Sequence, residues 1–156
     1  LFPYTTLFRS KSVEVAKKLN KYLADLHVLY SKLHNYHWNV VGLGFFEMHL
    51  KLEELYTATA TEIDTIAERI LQLEERPLAS MKSYLEVSTL KEAESQKIKP
   101  AEAAKDVLSD YEVVLKEIRE IVLMAADNND DQTVALIDGS IANYEKHIWM
   151  LSAYLD

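Results

Sequence analysis

From Lys11 onward, apolar residues recur in steps of three and four with almost nothing to interrupt them, since glycine and proline number only three each in 156 residues. That spacing gathers apolar side chains on one face of an α-helix. So few turn residues cannot serve a sandwich, a barrel or a many-stranded sheet. Leu19, Leu23, Leu26, Tyr30 and Leu33 form a first stripe, which predicts a helix up to about Val41. Gly42-Leu43-Gly44 then permits a tight reversal. A second helix is predicted from about Phe45 to Leu73, ended by Arg76-Pro77, with Met48, Leu52, Leu55, Thr59, Ile63, Ile66, Ile70 and Leu73 on its apolar face.

Residues 78–99 lose the period and read as a long connection holding one short helix around Met81–Leu85. Pro100 followed by Glu102 marks a third helix start, with Val107, Tyr111, Val114, Ile118 and Val122 on its stripe. The polar run from Asp127 to Asp131 can cap a fourth helix, which carries Val134, Ile137, Ile141, Tyr144, Ile148, Leu151 and Leu155. The expected fold is therefore all-α: a four-helix bundle whose long crossover connection carries a short helix. Leu1–Ser10 stands apart, because read back into codons it resembles a translated sequencing adapter. Those ten residues read as an artefact or a disordered arm, and the domain is expected over 11–156.

No apolar run approaches the roughly 18 residues that cross a bilayer, and no membrane association is expected. Cysteine is absent, which excludes disulfides and thiolate metal sites and fits a cytoplasmic address. A net charge of −8 argues against general nucleic-acid binding and suits a protein that attracts cations.

Chemistry concentrates in one segment: His37-Trp38-Asn39-Val40-Val41-Gly42, then Phe45-Phe46, His49, Glu53, Asp64 and Glu68. His37 and His49 lie equally far on either side of Leu43, so a hairpin turning there brings them level. At 100° per residue, Glu53, Asp64 and Glu68 fall about 40°, 60° and 100° around the second helix from His49. The apolar stripe of that helix is centred roughly 80° away on the other side. Each residue taken singly fits a solvated helix face. Two histidines flanking a glycine turn, with two carboxylate-bearing pairs on one stripe, favour a metal site instead. Imidazole and carboxylate without thiolate suit iron, manganese or zinc. The Glu-x-x-His pairing of intrachain di-iron bundles is missing, because Ala24, Ser31, His34, Phe46 and Tyr144 precede the five histidines by three positions.

The run HWNVVG, the following FFxxH, the glutamate four residues on and the DxxxE fifteen residues on resemble the Dps family of ferritin-like mini-ferritins, the DNA-binding proteins from starved cells. Lys146-His147-Ile148-Trp149 near the C-terminus fits the same pattern, and the resemblance spans roughly Val13 to Leu155. It implies a ferritin-like shell of twelve subunits built from two-fold dimers. It further implies a ferroxidase that oxidises iron(II) with hydrogen peroxide, stores the iron(III) mineral and protects against oxidative stress. By the same resemblance His37, His49, Glu53, Asp64 and Glu68 are the iron ligands. Many members carry aspartate where Glu53 stands, so this side chain reaches one methylene further.

Asp127, Asp130 and Asp131 read either as turn and cap residues or, at the start of the fourth helix, as the family's acidic three-fold pore, with Asp131 the best positional match. Trp38 and Trp149 resemble aromatic residues held near the iron site, or pack helix ends. His27 and His34 read as surface or partner-satisfied residues, and His147 as a structural interface residue. The family's DNA-compacting activity is the competing function, and a purely structural oligomer a third. Lys11, Lys17, Lys18 and Lys21 offer only a modest basic cluster, so DNA binding is not expected of this chain. Spacing makes one further demand. Glu53 and Asp64 are about 16 Å apart along a helix, and His49 and Glu68 nearly 30 Å. One centre therefore requires two chains, with second helices crossing antiparallel near Ala58–Thr59.

Overall fold

The structure, a computed structural model, describes residues 3–156, with side chains from residue 11 onward. The reading of residues 1–10 as an artefact or arm therefore falls on side chains outside the described residues. Five helices follow in order: α1 (Pro3–Asn39), α2 (Phe45–Gln72), α3 (Met81–Val87), α4 (Pro100–Asp127) and α5 (Asp131–Leu155). α1 packs along α2 and α4 along α5, while α4 and the short α3 both pack against α1. This is the expected bundle with its crossover. No helix among the described residues is long and apolar enough to cross a membrane.

The helix ends follow from local chemistry. Gly42 and Gly44 have φ of 106° and 83°, a left-handed backbone that favours glycine, and they turn α1 into α2 within five residues. α2 stops before Pro77 is reached. Glu74 takes φ 62°, the Glu75 amide donates to Ile70 O and the Glu74 amide to Leu71 O. That pair of bonds satisfies the last carbonyls of the helix. α4 ends the same way on Asn129, with Asp130 N bonded to Ala125 O and Asn129 N to Ala126 O. Asp130 then caps α5, its carboxylate accepting from Thr133 N at 3.0 Å and Thr133 Oγ1 at 2.6 Å. α4 starts at Pro100 with Glu102 in its first turn, as expected, and Lys99 N donates to Glu102 Oε2 there.

Each predicted stripe supplies the core: Leu19, Leu23, Leu26 and Leu33, with Leu52, Leu55, Ile66, Ile70, Val107, Val114, Ile118 and Ile137. α1 is buried further round than its stripe foretold, taking in Tyr22, Val28 and Leu29, because it is packed on by α2, α3 and α4 together. Polar contacts run along the α1–α4 seam. Lys32 reaches Asp110 at 2.7 Å and Asp106 at 3.3 Å, Tyr36 donates to Asp106, and Lys21 meets Glu117 at 2.6 Å.

The crossover lies against α1, whose side chains accept and donate to its backbone. Asn20 bonds Arg76 O and Leu78 N. Asp25 Oδ1 accepts from Ser88 Oγ, Thr89 N and Leu90 N. Asn35 donates to Ala93 O and Glu94 O. At the far end Val41 N bonds Ile98 O and Ile98 N bonds Asn39 O, which fixes the segment just beyond His37.

Candidate metal centre

The glycine reversal places the last turn of α1 beside the first turn of α2, and the two histidines meet there. His37 Nδ1 lies 2.8 Å from His49 O, and His49 Nδ1 lies 2.9 Å from His37 O. Their rings stack with centroids 3.7 Å apart. A carbonyl oxygen only accepts, so each Nδ1 carries a proton and donates it to the other residue's backbone. The remaining nitrogen of each neutral ring, Nε2, is then the one with a lone pair. Backbone donation through one ring nitrogen is what orients a histidine for metal ligation through the other.

Aromatic rings hold the pair in place. Phe45 lies 5.1 Å from His49, and Tyr56 stands nearly perpendicular to His37 at 5.2 Å. Tyr56 had no place in the sequence reading, yet it stands two helical turns after His49 on the same face, a spacing that marks it as a neighbour. His37 is buried and His49 half-buried, while Glu53, Asp64 and Glu68 are exposed on α2. Among the described residues, no three histidine, aspartate or glutamate side chains of this single chain form a group that could hold a metal ion. The fold thus brings the histidines together and leaves the carboxylates spread along an unbroken helix.

The other singled-out residues divide. His34 stacks on Tyr56 at 3.8 Å and donates to Tyr30 O, and His27 stacks on Tyr84 at 3.8 Å. His147 is buried beside Tyr111, with Nδ1 unbonded. Trp38 meets His34 with ring centroids 5.1 Å apart near the end of α1 and is otherwise 72% exposed, and Trp149 is 68% exposed. The Asp130 carboxylate is engaged by its cap and by Arg69 Nη2 at 2.7 Å. Asp127 and Asp131 are exposed at the same turn.

Residues 16–156 match the ferritin-like domain family. The chain is 44% identical over 143 residues to "DNA protection during starvation protein 2" of Bacillus anthracis, covering 92% of this chain and 97% of that protein. It superimposes on a Dps protein from Bacillus brevis with a TM-score of 0.91 at 40% identity, covering 94% and 98% of the two chains. The Dps protein of Vibrio cholerae O1, described as a member of a broad superfamily of ferritin-like diiron-carboxylate proteins, gives a TM-score of 0.92 at 36% identity, with 95% and 92% covered.

The stacked rings make the two side chains energetically dependent on each other. In a double-mutant cycle of His37→Ala and His49→Ala, read by unfolding of the assembled protein, the expected coupling from stacking is about 1 kcal/mol, because each ring's hydrogen bond goes to a backbone carbonyl that alanine keeps. Additive losses would contradict the stacked arrangement.

Proposed function

This chain belongs to the Dps family of ferritin-like proteins, and on that premise we propose that it is an iron-storing ferroxidase. In this reading it oxidises iron(II) with hydrogen peroxide and retains the iron(III) mineral inside a shell of identical subunits in the cytoplasm. The observation that carries the reading is the histidine pair, each ring held by its Nδ1 and presenting Nε2 as a lone-pair donor. Imidazole with carboxylate is a donor set that binds iron(II). Two iron(II) ions give two electrons to one peroxide, which takes up two protons and leaves as two waters. Because both electrons leave together, the one-electron cleavage that yields hydroxyl radical is suppressed. The protein's part is to hold and orient the ions.

Placement of the carboxylates supports a centre shared between two copies. α2 runs unbroken from Phe45 to Gln72, so Glu53 and Asp64 stay about 16 Å apart along it. His37, His49 and Glu53 of one chain would face Asp64 and Glu68 of its partner across antiparallel α2 helices. Thr57, Ala60 and Thr61 are small and exposed at the middle of that face. Thr59 is buried in its own chain and bonded to Leu55 O. The proposed crossing therefore rests on Thr57, Ala60 and Thr61. Exposed Phe46, Leu50 and Leu71 flank it on the same side. In a closed shell, Asp131 would line a three-fold entrance and concentrate cations there.

DNA compaction has less support. Lys18 pairs with Glu120 and Lys21 with Glu117, so half of the modest basic cluster is already neutralised on α4.

Anaerobic loading with iron(II) followed by peroxide should give a fast rise in iron(III) absorbance, and the double variant His37→Ala/His49→Ala should lose most of that rate. Oxidation as fast as in the parent would remove these histidines from the site. Sharing is tested by mixing that variant with an Asp64→Asn/Glu68→Gln chain, each inactive alone. Mixed dimers should regain one working centre. Subunit exchange verified by mass spectrometry without recovered activity would rule the shared arrangement out. Asp131→Asn should slow iron uptake most at low salt while assembly persists; equal kinetics at every ionic strength would count against the entrance.

A further inference from the structure

α2 turns one line of side chains away from its own bundle, and that line has the same chemistry read from either end. At 100° per residue, Phe46, Glu53, Asp64 and Leu71 fall within about 20° of one another around the helix. Counted outward from the midpoint between Ala58 and Thr59, Thr57 is matched by Ala60, Glu53 by Asp64 and Phe46 by Leu71. The order on both sides is small, then acidic, then large and apolar. All six are exposed, Phe46 at 76% and Leu71 at 49%, and the helix beneath them is unbroken. Within the chain Phe46 meets the ring of Phe45 edge to face, 5.4 Å between centroids, and the rest of it stands in solvent. Seven residues separate Phe46 from Glu53 and Asp64 from Leu71, the repeat that keeps one helix face turned toward a partner crossing at a shallow angle.

We propose that a second copy of the chain covers this face, and that Phe46 packs on the partner's Leu71 at each end of it, fixing the register of the two α2 helices. The inference rests on the shared-centre reading and adds to it the contact that sets the register. A two-fold axis places each residue of a surface against its counterpart counted from the other end, which is what the matched order supplies.

Other registers fail on chemistry. A slip of one heptad in one direction sets Phe46 against the partner's Asp64, and in the other direction Glu53 against the partner's Leu71, so charge would be buried on apolar surface. In the matched register Glu53 meets the partner's Asp64 about 8 Å from the axis, and His49 meets the partner's Glu68 about 14 Å from it. Phe46 and the partner's Leu71 follow about 19 Å out, as the outer wall of each centre. Leu50, itself exposed, falls opposite the partner's Ala67, a large side chain against a small one. The facing carboxylates repel unless a cation lies between them, and the small residues at the crossing bury little area. Association of metal-free chains therefore draws on the apolar ends.

The chain has no cysteine, so introduced thiols report contact without background. In the metal-free assembled protein, a short bismaleimide should link two chains through Phe46→Cys/Leu71→Cys, and also through Thr57→Cys alone at the crossing. Linkage at Thr57→Cys without linkage in the double variant overturns the register contact and leaves the crossing standing. Linkage in neither removes the crossing and the contact with it. Phe46→Cys alone should stay unlinked, because its own counterpart lies about 38 Å away; linkage there contradicts the antiparallel register. A second measurement follows dissociation of the metal-free protein on dilution by sedimentation. Phe46→Ala should weaken association about tenfold or more, with helix content unchanged. Leu71→Ala should add little once Phe46 is gone. Fully additive losses, or no loss in either single variant, overturn the contact.

Discussion

Connecting α2 to α4 along the length of the bundle leaves stretches of backbone on either side of α3 that no helix satisfies, and α1 answers for them. Peptide groups taken out of water need partners, and here they come from polar side chains on a helix that is otherwise core. Asn20, Asp25 and Asn35 stand in succession along α1, and each bonds the crossover at a different height. α1 therefore faces both ways at once. Its leucines pack the bundle, and its amides and carboxylate hold the strap across it. The heavy burial of this helix is the consequence, and so is the placing of an ionisable group at full depth.

The candidate centre depends on the same helix at its other end. Ile98 bonds Asn39 and Val41, and the glycine reversal follows at once, so the last turn of α1 is fixed from two sides. His37 is thereby presented to His49 with little conformational freedom left. Neither ring is held by a carboxylate. Each is held by the other's backbone carbonyl, so the pair forms wherever the hairpin forms. This differs from a bundle-centre site, where ligands from four helices must converge. Here one hairpin orients the nitrogens, and the carboxylate oxygens stand exposed on α2.

The bundle interior has polar chemistry of its own. Tyr22 donates to Glu62 at 2.5 Å, and Ser140 bonds the same carboxylate oxygen. Tyr111 and Tyr144 lie close by, their rings edge to face at 4.8 Å. Burial pushes the Tyr22 and Tyr144 phenols well up and raises the Glu62 carboxyl. These groups satisfy one another, and Lys32 with Asp110 and Asp106 does the same on the α1–α4 seam. Among the described residues, Asp25 Oδ2 and Glu117 Oε2 are the buried carboxyl oxygens left without a hydrogen-bond partner.

Helix positions, the glycine hairpin and the apolar faces were legible in the sequence because each is set within one or two turns of chain. Period, caps and left-handed glycines act locally. The level placing of His37 and His49 was legible for the same reason, being a matter of equal distance from a turn. The family was legible in a short motif. Tertiary structure alone decided the rest. The end of α2 was set by a left-handed Glu74 rather than by Pro77. Asp130 was drawn to Arg69, and the orientation of the histidine rings came from carbonyls that no residue letter encodes. The meeting of Asp25 and Glu117 at Lys21 lay furthest from view, because nothing in a one-dimensional pattern tells which face of α1 meets α4, or which buried oxygen will lack a partner there.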